Sequence, residues 1–132
     1  MPPAPTILAT DDNLAFNYAI CRALEQNGFN SLTAHSGEEA IRIAREHKPD
    51  AVLLDVNLPD MDGFDVCRTL KADPDTASIP VIFLSAAQKS GHARDIGKSV
   101  GGDGFLFAPV ETGQLLTVLQ GALARARNAR VG

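Results

Sequence analysis

The chain lacks tryptophan, has few aromatic residues of any kind and contains only two cysteines, Cys21 and Cys67. A disulfide framework in a small secreted domain needs more cysteines, so we expect two free thiols. No apolar run approaches the ~18 residues that a membrane-spanning helix requires, and no basic segment followed by an apolar one opens the chain. These absences predict a cytoplasmic protein that makes no contact with a membrane.

Basic charge is also scarce, because 12 Lys and Arg face 16 Asp and Glu for a net charge of −4. A surface that binds nucleic acid directly needs an excess of basic groups, so this class of partner is not expected. The length of 132 residues and the 45% hydrophobic content suit one globular domain. We expect that domain over residues 6–127, after a flexible proline-rich lead-in at 1–5 and before a frayed tail or linker at 128–132.

Five short apolar segments alternate with longer segments of helical periodicity. The apolar segments are residues 6–10, 30–34, 51–54, 80–84 and 105–107. Continuous apolar runs of this length are typical of strands buried on both faces, and strands that alternate with helices form parallel sheets with right-handed crossovers. The sequence therefore predicts a single doubly wound α/β domain with a five-stranded parallel sheet, (βα)5.

Capping residues mark several of the helices. Gly28 is suited to end the first helix, and Ser36 with Glu39 forms a capping box that opens the second. Asp62 is suited to cap the third helix. The fourth helix, at about residues 90–100, has the thinnest apolar face, and the fifth has a clear apolar stripe.

Acidic and hydroxyl side chains follow the predicted strands at the edge where such sheets bind ligands. Asp11 and Asp12 follow the first strand, Asp55 ends the third and Ser85 ends the fourth. Singly, Asp12 could be a helix N-cap and Ser85 a turn residue. Together, three neighbouring carboxylates repel one another unless a cation lies between them, and a set of oxygen ligands without His or Cys favours Mg²⁺.

Three segments resemble the receiver domain of response regulators in two-component signalling. They are the acidic pair at 11–12, the segment LLDVNLPDMDG at 53–63 and the segment FLSA at 83–86. The likeness runs from about residue 6 to residue 126, and the segment around Asp55 is its most specific part. The resemblance implies a flavodoxin-like fold with strand order 2-1-3-4-5.

The resemblance also implies a metal site and a phosphoryl acceptor. By position, Asp55 is the phosphoacceptor, and it ligates Mg²⁺ together with Asp12. Asp11 contacts the ion largely through water, and Asn57 offers its backbone carbonyl. The metal would offset the charge that develops as the carboxylate takes up the phosphoryl group.

Further roles implied by the resemblance concern the phosphoryl group and its readout. Ser85 hydrogen-bonds the phosphoryl group, Ala86 is small enough to leave room for it, and Phe105 stands where the family has a switching aromatic residue. The implied partners are a sensor histidine kinase or a phosphotransfer protein, and an output domain or protein that binds the face of the fourth helix, fifth strand and fifth helix. A phosphoprotein of this kind belongs to a phosphorelay and is not an enzyme with an external substrate.

The sequence departs from the family at one position of the site. The family has a Lys before the proline that follows the fifth strand, and here Ala108 precedes Pro109. Without that ammonium group we expect a raised carboxylate pKa in the metal-free state and a large stabilisation by Mg²⁺. Lys89 is a less favoured substitute, since a solvated loop lysine is the simpler interpretation.

Two other functions remain open. Ala108 favours a phosphorylation-independent interaction module, which would retain the fold and the metal site. A Mg²⁺-dependent phosphatase with an aspartyl nucleophile would have a second acid two residues after that nucleophile, where this chain has Asn57.

Overall fold

A computed structural model describes residues 3–85 and 91–131. The strands are β1 (Thr6–Thr10), β2 (Asn30–Ala34), β3 (Ala51–Asp55), β4 (Val81–Ser85) and β5 (Gly104–Phe107). The helices are α1 (Leu14–Gln26), α2 (Gly37–His47), α3 (Gly63–Ala72), α4 (Gly91–Ser99) and α5 (Thr112–Val131). All strand pairs are parallel, in the order β2-β1-β3-β4-β5. The predicted fold class and strand order are confirmed.

Each face of the sheet carries its own hydrophobic core, because side chains alternate along a strand. In β1, Ile7 and Ala9 pack on one face among residues of α1 and α5. Leu8 packs on the other face, among residues of α2 and α3. The central strands are buried along their length, so their functional side chains are confined to the carboxyl ends.

The helix caps fix how the chain leaves each strand. Asn13 caps α1 by accepting a hydrogen bond from the Phe16 amide at 3.0 Å, so the N-cap of this helix is not Asp12. Ser36 caps α2 and Asp62 caps α3, as their positions in the sequence predict. The cap of α3 stands at the end of the loop that follows β3, close to the acidic edge of the sheet.

Two boundaries differ from the sequence-based expectation. Helix α5 continues to Val131, whereas the sequence alone predicts fraying from residue 128. Alanine and arginine dominate its last two turns, and both are strong helix formers. Helix α4 ends at Ser99, one residue earlier than the periodicity predicts.

The two cysteines lie in the two hydrophobic cores, one on each face of the sheet. Cys21 and Cys67 are both buried and unpaired, as predicted. Each helix within residues 3–85 and 91–131 is too short or too polar to span a bilayer.

Candidate functional site

Three carboxylates meet at the carboxyl edge of the sheet. Asp11 and Asp12 follow β1, Asp55 ends the neighbouring β3, and each offers an oxygen within 4.8 Å of those of the other two. Among the described residues, this is the group whose spacing suits a metal ion. Oxygen donors at this spacing match the preference of Mg²⁺ for hard ligands. The acidic cluster predicted from the strand ends is therefore present.

The backbone orients two of these carboxylates. Asp11 is buried, and its Oδ1 accepts a hydrogen bond from the Asn13 amide at 2.9 Å. Asp55 is half-buried, and its Oδ1 accepts one from the Asn57 amide at 3.2 Å. Each of the two is thus held by the amide two residues further along, while Asp12 is exposed. A carboxylate fixed in this way can offer its other oxygen to a ligand without searching for an orientation.

Burial and mutual repulsion raise the pKa of the cluster. Burial, followed by the charge of Asp11, raises the pKa of Asp55 to about 6. Burial is also the largest cause of the raised pKa of Asp11, where the hydrogen bond from Asn13 opposes it. The pKa of both carboxylates is thus raised, which is the direction expected for the metal-free protein, and burial is the largest of the causes.

The carboxylates line a cavity of about 390 Å³ together with apolar residues. The apolar residues of the lining are Phe16, Leu84, Ala108 and Val110. Among the described residues that line the cavity there is no lysine or arginine. Ala108 thus contributes a methyl group to the lining of this cavity. Lys89, the alternative cation, lies outside the described residues.

The loop after β3 approaches Asp55 closely. The Gly63 amide donates to the Val56 carbonyl at 2.7 Å, and Asn57 forms an isolated antiparallel bridge with Asp62. A Cβ on Gly63 would lie 2.2 Å from the backbone oxygen of Asp55, so only glycine fits there. The loop thereby holds Asn57 at the edge of the cavity that contains Asp55.

The other predicted site residues divide into three cases. Ser85 is buried at the end of β4 and lines the cavity. Ala86 lies outside the described residues. Phe105 is not among the residues that line the cavity, and its ring centroid lies 5.8 Å from that of Phe83 and 4.9 Å from that of Phe107. Phe105 therefore belongs to an aromatic cluster on the α4 side of the sheet.

Sequence reasoning missed three residues of the site. Asn13 fixes Asp11 and caps α1, and its place directly after the acidic pair is the only signal for that role. Phe16 and Val110 are among the apolar residues that line the cavity. Phe16 has the spacing of a core residue of α1, and nothing in the pattern distinguishes a cavity wall from a core contact.

Comparison with known proteins gives one consistent answer. The family model described as the response regulator receiver domain matches residues 7–120. PilH of Pseudomonas aeruginosa is 34% identical over 118 residues, which cover 89% of this chain and 97% of PilH. The response regulator MprA of Mycobacterium ulcerans is 35% identical over 121 residues, which cover 92% of this chain and 51% of MprA. The chain thus spans nearly all of PilH and about half of MprA.

Solved structures agree with the family match. A response regulator from Chloroflexus aurantiacus superposes with a TM-score of 0.88 at 30% identity, over 92% of this chain and 98% of the other. The receiver domain of a Pseudomonas aeruginosa sensor histidine kinase, which has a magnesium ion coordinated in its active-site cleft, gives a TM-score of 0.84 at 27% identity over the same shares. This chain therefore belongs to the response-regulator receiver-domain family of two-component signalling proteins.

Proposed function

We propose that the chain is a phosphoacceptor receiver domain that takes a phosphoryl group on Asp55 in a Mg²⁺-dependent step. The observation that carries this proposal is the cluster of three carboxylates within 4.8 Å, which lines one cavity together with Ser85. The donor set fits Mg²⁺ because all its atoms are oxygens. Burial and the charge of Asp11 raise the pKa of Asp55, and a bound cation would oppose this shift. The magnesium ion of the Pseudomonas aeruginosa relative supports the same interpretation.

The roles of the individual ligands are those that the resemblance to the family implies. Asp12 and Asp55 would hold the ion directly, Asn57 through its backbone carbonyl, and the buried Asp11 largely through water. When bound, Mg²⁺ supplies positive charge that offsets the negative charge of the transferring group. Asp12, which is exposed, would thus contact the ion directly. Asp11, which the Asn13 amide holds, would contact it through water.

The chemical step is a displacement at phosphorus. An Asp55 carboxylate oxygen attacks the phosphorus of a phosphohistidine, the O–P bond forms, the P–N bond breaks, and the imidazole leaves and takes up a proton. Ser85, at the end of β4 and on the cavity wall, would hydrogen-bond the phosphoryl oxygens. The donor would be a sensor histidine kinase or a phosphotransfer protein, and the chain would turn over no external substrate.

The output surface is proposed on the face of α4, β5 and α5. A shallow cavity of about 340 Å³ opens beside α4 and β5, and Arg94, Lys98 and Phe105 are among the residues that line it. Aromatic residues and arginine are enriched in protein interfaces. A change at Ser85 would reach this face through β5, since Ser85 pairs with Phe107 in the sheet.

The second candidate function is a phosphorylation-independent interaction module. Ala108 favours it, because no lysine or arginine among the described residues lines the cavity. Such a module would bind its partner equally well with and without acetyl phosphate.

Intact mass after incubation with Mg²⁺ and acetyl phosphate tests the choice between the two. We expect an adduct of one phosphoryl group on the unaltered protein and none on Asp55→Asn. An adduct that persists in Asp55→Asn would contradict the assignment of the acceptor. Absence of an adduct, both with acetyl phosphate and with a phosphorylated histidine donor, would favour the interaction module.

A further inference from the structure

One carboxylate ties the loop between β3 and α3 to the first turn of α2. Asp60 Oδ1 accepts a hydrogen bond from the Gly37 amide at 2.8 Å, and Asp60 Oδ2 accepts one from the Glu38 amide at 2.9 Å. Both amides belong to the start of α2, where helix amides have no partner inside the helix. A side chain from a distant part of the sequence therefore caps α2 with both of its oxygens.

Packing reinforces the same contact. A Cβ on Gly37 would lie 2.3 Å from Met61 Cγ and 2.9 Å from Val66 Cγ2. Met61 thus fits against the bare backbone of Gly37, next to the hydrogen bonds of Asp60. The tip of the loop is held on α2 by one polar and one apolar contact.

The base of this loop carries a group of the proposed metal site. Asn57 bridges to Asp62, and the Gly63 amide is bonded to the Val56 carbonyl at 2.7 Å. The loop is therefore closed at its base and anchored at its tip, with four residues, 58–61, between the two bridge partners. Because the closed loop is so short, we expect a shift of its tip to move Asn57 as well.

We propose that Asp60 is a positioning residue, which sets the Asn57 carbonyl for Mg²⁺ and couples occupancy of the metal site to the first turn of α2. This inference rests on the proposed function, since it concerns the same site. Residues that orient metal ligands commonly change metal affinity by about 10- to 100-fold when they are altered. Because coupling is reciprocal, bound Mg²⁺ should in turn steady the amides of Gly37 and Glu38.

Two control variants distinguish a positioning role of Asp60 from the loss of a helix cap and from the loss of a negative charge. Ser36→Ala removes another cap of α2, because Ser36 Oγ accepts a hydrogen bond from the Glu39 amide at 3.1 Å, but it leaves the Asp60 hydrogen bonds in place. Glu38→Gln removes one negative charge from the same turn and leaves the Asp60 bonds to the backbone intact. Recording binding at about 0.3 M KCl screens the remaining charge effect of the Asp60 variants.

The experiment is calorimetric titration of Mg²⁺ into the full chain, with thermal unfolding as a check on folding. We expect Asp60→Ala to weaken Mg²⁺ binding about 10-fold, and Ser36→Ala and Glu38→Gln to change it less than about 2-fold. Asp60→Asn retains one acceptor oxygen, so its Mg²⁺ affinity should lie between those of Asp60→Ala and the unaltered protein. It replaces Asp60→Ala in the test if that variant does not fold. Equal Mg²⁺ affinities for the Asp60 variants and Ser36→Ala would overturn the positioning role.

Amide hydrogen exchange provides a second readout. If Asp60 were only a helix cap, exchange at the start of α2 would not respond to Mg²⁺. We expect Mg²⁺ to slow exchange of the Gly37 and Glu38 amides in the unaltered protein, and of the same two amides in Glu38→Gln. In Asp60→Ala, exchange at these two positions should not respond to Mg²⁺. No response to Mg²⁺ in an unaltered protein that binds it would overturn the coupling. Failure of the unaltered protein to bind Mg²⁺ would overturn the proposed function, and the role of Asp60 with it.

Discussion

The Ala108 amide donates a hydrogen bond to the Ser85 carbonyl at 2.8 Å, which fixes the residue after β5 against the end of β4. Ala108 also lines the cavity that contains the three carboxylates. A longer side chain at position 108 therefore starts from a fixed backbone at the wall of the acidic cavity. This arrangement makes the position suited to a test of charge compensation.

We expect Ala108→Lys to lower the pKa of Asp55 and to stabilise the metal-free protein by about 1–2 kcal/mol, because an ammonium group near carboxylates favours their charged form. The stabilisation by saturating Mg²⁺ should shrink accordingly. Chemical denaturation with EDTA and with Mg²⁺ measures both effects. Ala108→Met, of similar length but uncharged, is the control, and equal behaviour of the two variants would contradict the electrostatic explanation.

The raised pKa of Asp55 predicts a pH dependence of stability in the absence of metal. The folded state holds the Asp55 proton up to a pH of about 6, whereas the unfolded chain releases it near the ordinary value of 3.8. The folded state thus binds more protons between these limits, so the free energy of unfolding falls as the pH rises from about 4 to 6. The loss is at most about 3 kcal/mol, since each pH unit of difference corresponds to about 1.4 kcal/mol and Asp55 is only half-buried.

Denaturation midpoints in EDTA between about pH 4 and pH 7.5 test this dependence, with Asp55→Asn as the reference for all other titrating groups. The free energy of unfolding of the unaltered protein, relative to that of Asp55→Asn, should be highest at the acidic end of this pH range. A difference that does not change with pH would contradict the raised pKa.

The sequence predicts the fold well because its signals are local and agree with one another. Apolar runs buried on both faces identify the strands of a parallel sheet, and Ser36 and Asp62 mark two helix starts that the structure confirms. The strand ends predict the acidic cluster for a related reason, since parallel strands bring their carboxyl ends to one edge.

Contacts between distant segments could not be predicted in this way. Nothing in the local pattern around Asp60 indicates that it bonds to the amides at the start of α2. Phe16 and Val110, which come from distant parts of the chain, are two of the apolar residues that line the cavity, and the spacing of Phe16 is also that of a core residue. The N-cap of α1 is Asn13 rather than Asp12. Asn and Asp are both common N-cap residues, so the residue types alone do not decide between the two positions.

Gly63→Ala tests how tightly the loop approaches the backbone of Asp55. The added Cβ would meet the Asp55 backbone oxygen at 2.2 Å and the Val56 Cα at 2.9 Å, and neither backbone atom can move without shifting β3. We expect a loss of about 1–3 kcal/mol in the free energy of unfolding, together with weaker Mg²⁺ binding. Urea denaturation and calorimetry measure the two effects.

Gly113→Ala is the matched control, because a Cβ on Gly113 meets no atom within 4 Å and the residue lies in α5. There the same substitution should be neutral or stabilising by up to about 1 kcal/mol. If Gly63→Ala were as stable as Gly113→Ala, the loop would have to accommodate a Cβ at position 63, which would contradict its close approach to Asp55.

The two acidic residues after β1 should respond differently to neutralisation. Asp11 is buried, with 7% of its surface exposed, and its pKa is raised mainly by burial, whereas Asp12 is exposed. Asp11→Asn should therefore stabilise the metal-free protein by about 1 kcal/mol at neutral pH, since an amide oxygen can still accept a hydrogen bond from the Asn13 amide without a buried charge. Asp12→Asn should stabilise the metal-free protein less, because Asp12 is exposed and its charge is only a lesser cause of the raised pKa of Asp11 and Asp55.

The order reverses for metal affinity, because Asp12 is proposed as a direct ligand and Asp11 as a ligand through water. We expect Asp12→Asn to weaken Mg²⁺ binding by more than about 10-fold, or about 1.4 kcal/mol, and Asp11→Asn to weaken it less. Calorimetric titration with Mg²⁺ and denaturation in EDTA give the two quantities for each variant. A larger loss of affinity in Asp11→Asn than in Asp12→Asn would exchange the assigned roles, because the buried carboxylate would then be the direct ligand.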